Sequence, residues 1–335
     1  MPVANRLSAA LVSVLLMCGT VNANDFDVVP LGVQGGLNEA NLSSYLVSVA
    51  AKNQFLALDA GTLSSGIDSA FEHNAFASVE WKSDSPYSLK GQLLRDHIRG
   101  YAISHAHLDH IAGLAINATD DAKKPLYGFS DTLNKLRDHL FNWQLWPNFA
   151  DQGAGFALAK YRYQSLTAGQ PVNLAKLDMR LTAYPLSHSG RSLSAAFLLQ
   201  HNNAALLYLG DTGPDSIEKG QQLYTVWQQV APLIKRSQLK ALFIECSYPI
   251  SRPDDKLFGH LTPRHVLQEL SALASLVDPD HPDTALNGLK VVITHIKPSY
   301  LKGENSQEII ERELTSANSL GVEWVFPQQG ELLHF

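Results

Sequence analysis

The chain has 335 residues, 45% of them hydrophobic, enough to bury a substantial core in one large domain or two. Its 26 basic against 32 acidic residues give a net charge of −6 with no basic block, which disfavours nucleic acid as a partner. A small anionic substrate stays admissible where metal ions supply local positive charge.

Taken in order, the first residues read as an export signal, so a periplasmic or secreted protein is expected. Arg6 precedes an apolar run from Leu7 to Cys18, and Val21-Asn22-Ala23 offers small residues for cleavage before Asn24. The run is too short to span a bilayer, so no membrane anchor is expected. Met17 before Cys18 fits a lipoprotein signal poorly, and an uncleaved apolar helix on a cytosolic protein is the alternative. After cleavage Cys246 is the only cysteine left. No internal disulfide can then form, and stability falls to the core and to bound metals.

Strands are expected over residues 26–31, 43–50 and 54–59, the last ending in Asp59-Ala60-Gly61-Thr62. Helices over 67–71 and 89–95 precede a buried strand end at 101–103, and 111–116 continues as a helix. A short strand at 125–128 leads to a helix over 131–143, with Asp or Ser available as its cap. Residues 148–169 read as an insertion near the site. A strand at 179–187 leads into His188-Ser189-Gly190, and 194–200 with 204–209 forms a hairpin around Asn202-Asn203. Its second strand ends in Gly210-Asp211-Thr212-Gly213. Helices follow over 221–234, over 262–276 (capped by Thr262 with Pro263 at the first position) and over 307–319. Strands fall at 239–245, at 289–294 just before His295, and at 322–326. No linker or repeat divides the chain. The pattern is an α/β, four-layer αββα sandwich in a single domain from residue 24 to 335.

The densest chemistry lies in Ser104-His105-Ala106-His107-Leu108-Asp109-His110, between a strand and a helix, where open α/β sheets place ligands. His105 and His107, two apart in extended chain, point the same way and can reach one ion, while Asp109 and His110 can reach a second. His188, Asp211 and His295 each sit just past a separate apolar strand. One ion then takes His105, His107 and His188, the other Asp109, His110 and His295, and Asp211 bridges both. Room for a shared water marks the site as catalytic. Imidazole and carboxylate suit two divalent ions, zinc first, with manganese or iron as alternatives.

The 105–110 string, together with Asp59 before it and His188, Asp211 and His295 after it at their strand ends, resembles the metallo-β-lactamase superfamily. The segments 105–114, 209–215, 243–249, 259–263 and 293–298 narrow this to a resemblance to the class II cyclic-nucleotide phosphodiesterases, from about residue 26 to Glu331. The export signal is similar to that of the periplasmic bacterial members. The resemblance implies hydrolysis of a 3′,5′-cyclic nucleotide, cyclic AMP first, at the 3′ ester bond to give the 5′-monophosphate. The chemistry agrees, since two metals can hold the two non-bridging oxygens and lower the pKa of a shared water toward about 7, for in-line attack on phosphorus. Asp109, His260 and Glu245 are the candidate catalytic residues. His260 donates a proton to the leaving alkoxide or holds the phosphate, with Glu245 orienting it. Asp59 is expected to orient the ligand loop through hydrogen bonds, Thr62 and Ser104 are possible helpers, and aromatics over 141–163 with Tyr248 are candidate base-stacking partners. The subunit count is open, a homodimer included. The rivals are another hydrolase of the superfamily (lactonase, sulfatase or nuclease) and a non-catalytic periplasmic metal- or nucleotide-binding protein.

Overall fold

The computed structural model describes residues 25–190 and 192–335. The export signal expected over 1–23 lies outside them. Fourteen strands form two seven-stranded sheets. The first holds β1 (Phe26–Gly32), β2 (Ser44–Val49), β3 (Phe55–Leu58), β4 (Ile98–Ala102), β5 (Lys124–Gly128) and β6 (Tyr161–Ser165). The second holds β7 (Val172–Leu174), β8 (Met179–His188), β9 (Ser192–His201), β10 (Ala204–Leu209), β11 (Leu239–Glu245), β12 (Lys290–Thr294) and β13 (Glu323–Val325). The last strand, β14 (Leu333–His334), returns to the first sheet and pairs with β1.

Alternation along the strands sorts side chains into three apolar layers, which is what makes four structural layers. In β2, Tyr45 and Val47 face Phe197, Leu206, Tyr208 and Phe243 across the gap between the sheets, whereas Leu46 faces the helices. The first helical layer contains α1 (Ser64–Glu72), α2 (Leu89–Gln92), α3 (Leu108–Asn117) and α4 (Ser130–Lys135). The short α5 (Asp215–Glu218) follows β10. Over the second sheet lie α6 (Gln222–Lys235), α7 (Pro263–Val277) and α8 (Ser306–Ser316), which bury Trp227, Val230, Leu270, Leu273 and Ile310. Among the described residues no helix is long and apolar enough to cross a membrane.

Several local expectations differ. The helix expected over 131–143 begins at Ser130, widens into a π turn over Leu136–Leu140 and stops there. Neither Asp131 nor Ser130 caps it; Phe129 occupies that place and the Ser130 hydroxyl pairs with Ser165 instead. Thr262 does precede Pro263 at the start of α7, but its hydroxyl bonds the His265 ring at Nδ1, 2.9 Å away, rather than a backbone amide of the helix. The presumed insertion at 148–169 contains β6, which pairs in parallel with β5. Of the aromatics over 141–163, Phe141, Phe149 and Tyr161 are core residues and not base-stacking partners.

Candidate metal centre

Every candidate ligand stands where an apolar strand ends. Residues 104–110 follow β4, His188 closes β8, Asp211 follows β10 and His295 follows β12. Asp59 and His295 adopt positive φ, 55° and 57°, as the chain turns out of the sheet, a strained conformation for a non-glycine residue that the surroundings must hold. Gly35 makes space for this, because a Cβ there would lie 2.3 Å from the His295 ring.

The side chains meet. Donor atoms of His105, His107, His188 and Asp211 all lie within 4.8 Å of one another, and the same holds for Asp109, His110 and His295 and for Asp211, His260 and His295. Asp211 lies at the junction: Oδ1 is 3.2 Å from His110 Nε2, and Oδ2 is 3.3 Å from His295 Nε2, 3.7 Å from His105 Nε2 and 4.0 Å from His188 Nε2. Asp109 Oδ2 is 3.2 Å from His295 Nε2 and accepts the Gly36 amide.

Outer hydrogen bonds orient the rings. His110 Nδ1 donates to Asp59 Oδ2 at 2.8 Å. His105 Nδ1 faces Ser104 Oγ, which itself donates to Asp59. His188 Nδ1 donates to the Gly259 carbonyl, and His295 Nδ1 to Ser247 Oγ. With Nδ1 protons directed outward, the Nε2 lone pairs turn toward Asp211. His105 Nε2 and His110 Nε2 are buried with no partner in hydrogen-bonding geometry, although Asp211 Oδ1 lies 3.2 Å from the second. A buried ring nitrogen left bare in this way is what a cation would complete, so the donor set fits divalent metal.

The electrostatics agree for most of the rings. Burial, with neighbouring imidazoles, pushes His105 well below the usual histidine range and His107 down to about 4. Burial also lowers His295, and neutral imidazole is the ligating form. Asp109 and Asp211 are held ionised: burial opposes this, but histidine partners outweigh it. His110 runs the other way, because Asp211 and Asp59 overcome burial and hold a proton on it. Its position between two carboxylates is where a cation would replace that proton.

Asp59 acts as expected, accepting from Ser104 N, Ser104 Oγ, His110 Nδ1 and Tyr208 OH, all at 2.7–2.8 Å. Ser104 therefore belongs to the support. Thr62 does not: it bonds Leu42 N and the Glu39 carbonyl. Glu245, wholly buried, accepts from His260 Nδ1 at 2.8 Å, from Ser247 Oγ at 2.7 Å and from Thr212 N. Burial works against a charged His260, but Glu245 and Asp211 outweigh it and raise its pKa, while Glu245 is lowered. Ser247 was not foreseen. It links Glu245 to His295, and its place two residues beyond Glu245 in an extended segment was the only signal. Tyr208 was missed likewise, two positions short of Gly210 on the inner face of β10.

The fold defines the class. The chain superposes on unliganded yeast PDE1 with a TM-score of 0.77, at 22% identity over 93% of this chain and 100% of that one. A metallo-β-lactamase fold protein, YhfI from Bacillus subtilis, matches with a TM-score of 0.57, at 16% identity over 92% and 99% of the two chains. The metallo-β-lactamase fold is thus established. The family model for class II cAMP phosphodiesterases matches residues 23–330. A 3′,5′-cyclic-nucleotide phosphodiesterase of Aliivibrio fischeri is 40% identical over 99% of both chains, and a probable one of Yersinia pestis is 42% identical over 92% of this chain and 89% of its own. The chain belongs to the class II cyclic-nucleotide phosphodiesterases.

Proposed function

We propose that the protein hydrolyses 3′,5′-cyclic nucleotides, cyclic AMP first, to the 5′-monophosphate at a centre of two divalent cations, zinc being the first candidate. His105, His107 and His188 would hold one cation, Asp109, His110 and His295 the other, and Asp211 both. When bound, the pair would neutralise phosphoryl charge and acidify water for attack on phosphorus. The observation that carries this reading is Asp211, buried with a carboxylate oxygen 3.2–4.0 Å from nitrogens of five imidazoles, the four candidate ligands His105, His110, His188 and His295 and the candidate proton donor His260.

The remaining steps fall to side chains of the chain itself. His260 gives Nδ1 to Glu245, which leaves Nε2 as the nitrogen to deliver a proton to the departing 3′ oxygen. Glu245 and Ser247 fix the ring while Ser247 also fixes His295, so proton donor and metal ligand share one support. Action outside the cytoplasm is part of the proposal, supported by Arg6, the apolar run to Cys18 and Ala23.

Assay on cyclic AMP, cyclic GMP and an aryl phosphodiester, with metal analysis of the same sample, tests it. The expected result is 5′-monophosphate formation with two metals per chain. Bound metal without turnover would favour the binding protein, and turnover on lactones alone another hydrolase.

A further inference from the structure

A second site lies at the opposite edge of the sheets. The parallel strands β4, β5 and β6 point their carboxyl ends toward the metal loops, while their first residues, with the turn between β7 and β8, enclose a cavity of about 250 Å³. Around it stand Arg95, Arg99, Lys123, Arg162 and Lys176, with Tyr127 and Leu177 among the walls. In a chain of net charge −6, such a concentration of one sign is unusual.

These cations are also unspent. Among the described residues none of the five has a carboxylate within ion-pairing distance, and nearby acids are engaged elsewhere. Asp121 binds Lys124 at 2.6 Å, Tyr101 at 2.7 Å and Tyr161 at 2.9 Å; Asp96 faces Lys82 and Asp178 faces Lys52. Arg95 lies over the Tyr87 ring and bonds only the Asp120 carbonyl. Arg99 gives one terminal nitrogen to the Asp96 carbonyl, but its Nε is buried with no partner at all. Crowding shows on the neighbours: burial lowers Lys124, and Arg99 and Arg95 lower it further against the pull of Asp121. An arginine and lysine ring in a concave recess is the arrangement that binds phosphate, by charge and by forked hydrogen bonds.

We infer that this cavity binds a small soluble ligand carrying phosphate groups, at a place separate from the metal centre. The recess lies between two sheets and is concave, which suits a compact ligand rather than a flat anionic surface. Tyr127 offers a ring against which an organic moiety can rest.

Calorimetric titration of the metal-loaded protein with inorganic pyrophosphate tests this, with wild type beside Arg99→Gln/Arg162→Gln and, as a pair of exposed changes with little folding risk, Lys123→Gln/Lys176→Gln. Wild type is expected to show one pyrophosphate site more than either double variant, or the same site bound about tenfold more weakly in the variants. Salt should weaken that site. Metal content and turnover on cyclic AMP should stay at wild-type values, which separates this site from the catalytic reading. Equal stoichiometry and affinity in all three proteins would overturn the inference. So would pelleting with phosphatidylglycerol vesicles in the absence of any pyrophosphate difference.

Discussion

Asp211 has five imidazoles within 4.0 Å, those of His105, His110, His188, His260 and His295, and almost no access to water. Asp211→Ala should therefore release most of the bound metal and lower turnover by about a thousandfold or more, measured by metal analysis and initial rates on one sample. Retained metal with full activity would remove its bridging role. His260→Ala should keep the metal and lose about 10²- to 10⁴-fold in turnover, with a smaller loss on aryl esters whose leaving groups need no proton. Equal losses on all substrates would instead assign His260 to binding or packing. Ser247→Ala separates the two supports that one hydroxyl provides. A loss of about 10- to 100-fold is expected in metal affinity, in activity or in both, and an unchanged variant would make the Ser247 bridge incidental.

At the scale of elements, strand ends carry the site and hydrogen bonds between elements hold it. Tyr208 on β10 reaches across to Asp59 after β3, a single bond joining the two sheets beneath the metal loop. Tyr208→Phe leaves a buried carboxylate one donor short, at a cost of about 1 to 3 kcal/mol in unfolding free energy. Chemical denaturation measures it, and no change would mean that water replaces the hydroxyl. A second prediction belongs to α6 and α7. Burial raises Glu269, although Trp227 Nε1 and the Asp215 amide donate to it. The folded chain therefore keeps a proton that the unfolded chain releases, and this contribution to stability is lost as pH rises from about 4.5 through the raised value. Melting temperatures of wild type and Glu269→Gln across that window should diverge as pH rises, and parallel curves would refute the linkage.

The same elements show what could be read beforehand. Apolar strands that stop at a histidine or aspartate are legible because hydrophobic periodicity ends where chemistry begins, and this is the signal that singled out the seven candidate ligands whose side chains converge. β6, with the sequence Tyr-Arg-Tyr-Gln-Ser, was not legible, because an edge strand with a half-exposed face lacks the apolar signal. Nor were the three-residue β7 and the two-residue β14, which exist only through their partners. The early stop of the helix after Leu140 follows from a π turn, for which no simple residue pattern stands in the sequence. Ser247 and Tyr208 escaped notice because a hydroxyl acquires its role from what tertiary structure brings near it.

For the whole molecule, removing metal with a chelator should lower the melting temperature and leave the secondary structure at room temperature intact, since the three apolar layers do not depend on the site. Re-addition of zinc should restore it. An unchanged melting temperature would indicate that the cations contribute little to folding.

The ligands divide between the halves of the chain, with 105–110 after a strand of the first sheet and His188, Asp211 and His295 after strands of the second. Neither half owns a complete cage. Cation capture must then wait until the sheets have closed on each other, and the ions act as rivets driven last. Release should in turn be gated by parting of that seam, so the rate at which the protein surrenders metal becomes a clock for a motion that catalysis itself does not report.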